Sequence, residues 1–241
     1  MQYYFIGGLG SNSYHLAPLI EELSFPVTFL DPYREMIRTE KDLRTWFQGQ
    51  IGQAGEICLL GHSLGGDLAR YLASEFPQIQ ALILLDGGYL DMEKILPLEE
   101  ELEGTASFMQ QQVFATLEEA VLSELGDGAD PTPIARKAVE ASYRWNPLSE
   151  QYELNLDLEK VMALLRLRRQ IKTYQIPLAD LPVLFIGPRY QEEPEWRKEA
   201  LKQLDPQIKQ VLLEGLRHEL YTEAPEIVAR EVNNWLQNVH K

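Results

Sequence analysis

One cysteine, Cys58, stands in the whole 241-residue chain, so no internal disulfide can staple it. It lies in an apolar run, where a thiol behaves as a small, inert hydrophobe. No stretch is long and apolar enough to span a bilayer. No basic segment precedes the opening Met1-Gln2-Tyr3-Tyr4-Phe5-Ile6, so the pattern of a secretory signal is missing. Basic residues are scarce: 22 Lys and Arg against 37 Asp and Glu leave a formal net charge of −15. Nucleic acids and anionic membranes would repel such a surface. The four histidines, His15, His62, His218 and His240, are scattered with no metal-ligand spacing. These absences lead us to expect a cytoplasmic protein with no cofactor, no metal, and no nucleic-acid or membrane partner.

What is present is a regular alternation. Apolar runs at Tyr3–Ile6, Val27–Leu30, Ile57–Leu60 and Ile79–Leu85 predict strands. Between them, Leu16, Leu19, Ile20 and Leu23, then Leu43, Trp46, Phe47 and Ile51, then Leu64, Leu68, Tyr71, Leu72 and Phe76 have the spacing of helix faces. Continuous apolar strands separated by amphipathic helices indicate a mostly parallel sheet with helices on both faces. From about Leu90 to Asp180 no strand is expected. Helix-period segments at Phe108–Leu125, Pro133–Tyr143 and Leu156–Ile171 fill that stretch, joined by loops such as Gly126-Asp127-Gly128-Ala129-Asp130-Pro131. The alternation then resumes with strands at Leu181–Ile186 and Ile208–Leu213 and helices at Glu195–Leu204 and Ile227–Val239. We therefore expect an α/β core over residues 1–89 and 181–241, with a helical cap insertion over 90–180. An insertion that long exceeds any simple connection, and the place to lie is over the carboxyl ends of the strands.

The most informative run is Cys58-Leu59-Leu60-Gly61-His62-Ser63-Leu64-Gly65-Gly66. A strand ends, a serine stands at a turn between glycines, and a helix begins. That context is the one a nucleophile elbow requires, with the serine hydroxyl thrust away from the sheet. Gly61 and Gly65 belong there because a Cβ would collide with the neighbouring strand or helix. His62 reads as structural. Late in the chain, His218 follows the last predicted strand in Leu213-Glu214-Gly215-Leu216-Arg217-His218-Glu219. Neutral imidazole is the group suited to take a serine proton near neutral pH.

Gly8-x-Gly10 after the first strand, with Asp31 ending the second, mimics a dinucleotide fingerprint and keeps a nucleotide-binding oxidoreductase open as an alternative. Ser13 stands where the third glycine belongs, and that reading leaves the elbow and His218 unused.

Taken together, the strand order, glycine loop, elbow, insertion and late histidine resemble the α/β-hydrolase fold family over nearly the whole chain. The resemblance implies Ser63 as nucleophile and His218 as base, with the N–H groups of Leu9 and Leu64 forming the oxyanion hole. It implies a small-molecule ester or acyl substrate and hydrolysis of a carboxylic ester or thioester. For the triad acid the order of preference is Asp86, then Glu192, then a dyad supported by water. The family's usual aspartate position, after Leu181–Gly187, holds Tyr190, with Glu192 two residues on. Asp86, ending the strand before the insertion, matches a position used by a minority of members. A non-hydrolytic ligand-binding module on the same fold is the second reading.

Overall fold

Alternate residues of the first strand enter two different cores, Tyr4 and Ile6 one of them and Phe5 the other. The same division runs through the whole sheet and sets the layers of the molecule. The computed structural model describes residues 1–126, 131–178 and 181–239. In chain order they form β1 (Gln2–Ile6), α1 (Ser13–Glu22), β2 (Thr28–Leu30), α2 (Glu40–Ile51), β3 (Ile57–His62), α3 (Leu64–Glu75) and β4 (Ile79–Leu85). An inserted segment follows: α4 (Leu98–Gln111), β5 (Val113–Phe114), α5 (Leu117–Leu125), α6 (Pro133–Ser142), β6 (Tyr143–Asn146), β7 (Gln151–Leu154) and α7 (Leu158–Ile171). The chain ends with β8 (Val183–Arg189), α8 (Glu195–Lys202), β9 (Lys209–Glu214), α9 (Leu220–Glu223) and α10 (Pro225–Val239).

Six strands form one parallel sheet in the order β2-β1-β3-β4-β8-β9. One face packs Leu59, Leu82, Leu84 and Phe185 against α2, α3 and α7. The other packs Leu60, Ile83, Leu85 and Ile186 against α1, α9 and α10. Cys58 lies in this second core, and burial pushes its thiol pKa up, leaving it un-ionised. The register brings Ile6 beside Gly61, His62 beside Leu85, and Leu85 beside Ile186. Four strands therefore end together, and the loops after β1, β3, β4 and β8 share one edge. The chain winds outward from β1 to β2 on one side and from β3 to β4 on the other. The crevice between β1 and β3 is the switch point at which such sheets bind ligands.

The inserted segment departs from expectation. It holds a three-stranded antiparallel sheet, β5-β7-β6, where helices alone were predicted. These strands are short and half polar, so each is stable only through its partner. Trp145 and Tyr152 face each other across β6 and β7 with ring centroids 5.1 Å apart. The stretch Phe108–Leu125, predicted as one helix, is broken: α4 ends at Gln111, and the Thr116 hydroxyl starts α5 anew by accepting from the Glu119 N–H. The predicted loop over Asp127–Asp130 and the predicted cap boundary at Asp180 lie outside the described residues.

The segment divides by its packing. Ala120, Val121, Val139 and Tyr143 form a small core of their own. Leu102 of α4 and Val161, Leu164 and Leu165 of α7 instead join the main core. A buried charge cluster fastens those two helices to α3. Arg168 reaches Asp67 at 3.7 Å, and Glu101 binds both Arg168 and Arg169, the latter at 2.8 Å from Nε. Thr173 donates to Asp67 at 3.0 Å. Among the described residues, no helix is long and apolar enough to cross a membrane.

Candidate active site

β3 is continuously apolar because both of its faces are covered, and it stops where the chain must reverse into α3. Ser63 makes that turn with φ 52° and ψ −126°. A backbone held so far from the ordinary basins stores strain that the surrounding packing must maintain. Ser63 is the N-cap residue of α3, yet its side chain makes no capping hydrogen bond. Its hydroxyl is therefore not consumed by the helix. The turn is possible because α3 packs directly on β1: a Cβ at Gly65 would sit 2.2 Å from the Ile6 carbonyl oxygen.

The loop after β1 closes on the same point. A Cβ at Gly8 would lie 3.0 Å from Ser63 Cβ and 2.9 Å from His62 Nδ1. Tyr33 fastens the loop by donating its hydroxyl to the Gly7 carbonyl at 3.3 Å. The N–H groups of Leu9, next to Gly8 on this loop, and of Leu64, next to Ser63 in the first turn of α3, find no backbone acceptor among the described residues. Asp31, the acid of the dinucleotide-like pattern, is spent locally. It caps Tyr33 N–H at 3.0 Å and pairs with Arg34 at 3.0 Å.

His218 and Asp86 meet. His218 Nδ1 donates to Asp86 Oδ2 at 2.7 Å across 132 positions of sequence. Asp86 directly follows β4, is 5% exposed, and also has a positive φ, 43°. Four described non-glycine residues have positive φ, and Ser63 and Asp86 are two of them. The second oxygen of Asp86 is fully engaged: Oδ1 accepts from the Tyr89 hydroxyl at 3.0 Å and from Arg197 Nη2 at 3.0 Å. Burial alone would raise the Asp86 pKa, but the bonds to His218 and Arg197 outweigh it and hold the carboxyl below its usual range. Burial would likewise lower the His218 pKa. The hydrogen bond and charge of Asp86 overcome this and hold it above that of ordinary imidazole.

Glu192 takes no part in this arrangement. It is exposed on the loop after β8, while its neighbour Glu193 turns inward to bind Arg197. Tyr190 lies under the Arg197 guanidinium, 4.9 Å from ring centre to Cζ. Arg197, on α8 and 1% exposed, thus touches Asp86, Tyr89, Tyr190 and Glu193 at once. Sequence reasoning missed it. The only local signal is the Glu193–Arg197 spacing of four, which surface helices also use.

His62 is 1% exposed, and burial lowers its pKa to about 3, so the ring is neutral. Its Nε2 donates to the His218 carbonyl at 3.0 Å, tying the loop that carries His218 to the end of β3. His62, His218 and Glu219 bring one potential ligand atom each within 4.8 Å of one another. His62 Nε2 is spent on that carbonyl, however, its Nδ1 faces Gly8, and His218 Nδ1 is held by Asp86, so both rings are already engaged. Beside the loop of Leu9 a cavity of about 420 Å³ opens, walled on its apolar side by Leu9, Phe108, Met109, Leu154 and Leu156. Glu219, next to His218 in sequence, also lines it. Ser63 and His218 themselves do not line it.

Residues 8–164 match the family described as alpha/beta hydrolase fold. No curated protein matches the chain in sequence. Solved structures are similar in fold at low identity. An E-2-(acetamidomethylene)succinate hydrolase superposes with a TM-score of 0.73 at 18% identity, over 98% of this chain and 91% of its own. A marine microorganism esterase gives 0.67 at 17%, over 97% and 95%. The thioesterase domain of a curacin biosynthetic pathway gives 0.68 at 16%, over 95% and 90%.

Proposed function

From its membership of the alpha/beta hydrolase fold family, we propose that the chain is a serine hydrolase that cleaves a small carboxylic ester or thioester through an acyl-enzyme on Ser63. The observation that supports this most is the 2.7 Å contact between His218 and Asp86 beside the strained Ser63 turn. In this reading Ser63 Oγ attacks the carbonyl carbon as His218 Nε2 takes its proton. The Leu9 and Leu64 N–H groups hold the resulting oxyanion. His218 then gives its proton to the leaving alkoxide or thiolate as the C–O or C–S bond breaks. A water attacks the acyl carbon, again losing its proton to His218, and the free acid leaves with Ser63 restored. Asp86 keeps the imidazole in the tautomer that carries its proton on Nδ1 and stabilises the imidazolium between steps. The inserted segment, in this reading, is the cap that shapes what reaches Ser63.

Tyr190 in the usual place of the acid favours a non-hydrolytic binding module; the Asp86 carboxylate 2.7 Å from His218 supports hydrolysis instead. The test is covalent. A fluorophosphonate should label the native protein at Ser63, and Ser63→Ala should be folded but unlabelled and inactive on 4-nitrophenyl esters. Turnover should also fall as pH drops through the pKa of His218, since the base must be neutral. That pKa lies above the ordinary value of about 6.5. Absence of labelling in folded native protein would overturn the reading.

A further inference from the structure

The cavity beside Leu9 is unusual in its charge. Its described lining includes two carboxylates, Glu124 and Glu219, and no lysine or arginine. The one other titratable group there, His15, brings no positive charge. Burial lowers its pKa, and its Nδ1 accepts the Asn12 N–H at 3.1 Å, which leaves the proton of the neutral ring on Nε2. Neither carboxylate has a cationic partner in the wall. Glu124 accepts the Tyr143 hydroxyl at 2.6 Å, a neutral donor. Glu219 stands 3.9 Å from His62, which stays neutral. The neighbouring arginines are spoken for: Arg34 binds Asp31, and Arg217 binds Glu223 at 2.6 Å.

An anion entering this space would lose part of its hydration and find two negative charges and no lysine or arginine; His218, close to Glu219 but outside the lining, is already paired with Asp86. The formal net charge of −15 adds a repulsion that acts before contact. A neutral chain would meet the apolar wall of Leu9, Phe108, Met109, Leu154 and Leu156 instead. A cation would meet the same wall and two acceptors. Resting on the ester-hydrolase reading for its chemistry, we infer that this cavity selects substrates by charge: it admits a neutral or cationic group of the ester and turns away carboxylate-bearing and phosphate-bearing ones, coenzyme A thioesters among them. Glu124 and Glu219 are then the specificity-determining residues.

The experiment compares matched esters of one length that end in a methyl, a trimethylammonium or a carboxylate group. One series carries this group on the acyl side and a second carries it on the alcohol side. In at least one series the trimethylammonium and methyl esters should exceed the carboxylate ester in kcat/KM. Each carboxylate contributes roughly five- to tenfold, from Coulomb's law at the effective dielectric of a partly exposed site. Added salt should shrink the ratio, because exposed charges are screened over about 10 Å. Glu124→Gln and Glu219→Gln should each reduce the ratio, with thermal melting used to show that both variants are folded. Equal turnover across both series in the native enzyme overturns the inference and leaves the hydrolase reading intact. Direct binding separates the opposite case. Calorimetry with butyltrimethylammonium and with pentanoate should detect the first and not the second. That result in a protein that hydrolyses no ester would sustain charge selection and overturn the hydrolase reading. Binding of pentanoate at least as tight as that of the cation overturns charge selection.

Discussion

Two loops leave the same edge of the sheet, one after β4 and one after β8, and they carry opposite loads. The first is short, buried and strained: Asp86 is 5% exposed with a φ of 43°, and both of its oxygens are bonded. The second is longer and open, with Glu192 exposed and Tyr190 where a carboxylate could have stood. Yet the second loop is not idle. Through Glu193 and Tyr190 it holds Arg197, and Arg197 holds Asp86. The contrast shows how a charge can sit on one strand while the loop of another supports it. A strand end bonded from three directions places a carboxylate more reproducibly than a loop does. His218 and, after it, the guanidinium keep that buried carboxylate ionised, which burial alone would oppose.

The comparison can be broken by substitution on either side. Asp86→Asn keeps the shape and removes the charge, so turnover should fall by about ten-thousandfold, the scale seen when a serine-protease triad loses its anion in the same way. Fluorophosphonate labelling should slow yet remain detectable. The acid limb of the residual pH profile should move to lower pH, because an imidazole without its carboxylate gives up its proton more readily.

A smaller effect belongs to Arg197→Met. As a positioning residue it acts only through Asp86, so kcat should drop on the order of ten- to a hundredfold, the usual cost of losing an outer partner of a site, with KM little changed. The pH signature is the one a merely structural role would not produce. Without the cation on Oδ1, Asp86 holds the imidazolium more strongly and the acid limb should move to higher pH, opposite to Asp86→Asn. Stability should also fall by about 3–5 kcal/mol, since a buried carboxylate loses its partner, and Arg197→Lys should recover part of both losses. An acid limb that stays in place in folded Arg197→Met would confine Arg197 to packing. The smallest effect is expected from Glu192→Gln, within about twofold of native turnover, as for surface changes away from any specific contact.

Much of this was readable before any coordinates, and the reason is locality. The elbow announces itself in nine consecutive residues, and the strands from β1 to β4 are apolar runs whose burial does not depend on distant partners. The helix Glu40–Ile51 forms around the predicted face of Leu43, Trp46, Phe47 and Ile51, with Thr39 capping its start and Gly52 following its end. His218 was found from its place after the last strand. The misses are non-local. β6 and β7 read as loop or helix because Tyr143–Asn146 and Gln151–Leu154 are strands only in each other's company. Arg197 looked like one more charge on an exposed helix. What buries it is the approach of α8 to the end of β4, a juxtaposition created by the sheet order. Asp86 is preferred to Glu192 on the sequence because it stands at a strand end, but only the fold shows which carboxylate meets His218.

The most direct measurement is the far-downfield proton NMR spectrum, where a histidine Nδ1–H held by a carboxylate is resolved from the amide envelope. The signal is assigned to His218 by its loss in His218→Gln. It should be present in the native protein and in Glu192→Gln and absent from Asp86→Asn. A signal that survives in Asp86→Asn and vanishes in Glu192→Gln would put the acid on the β8 loop and contradict the assignment of Asp86.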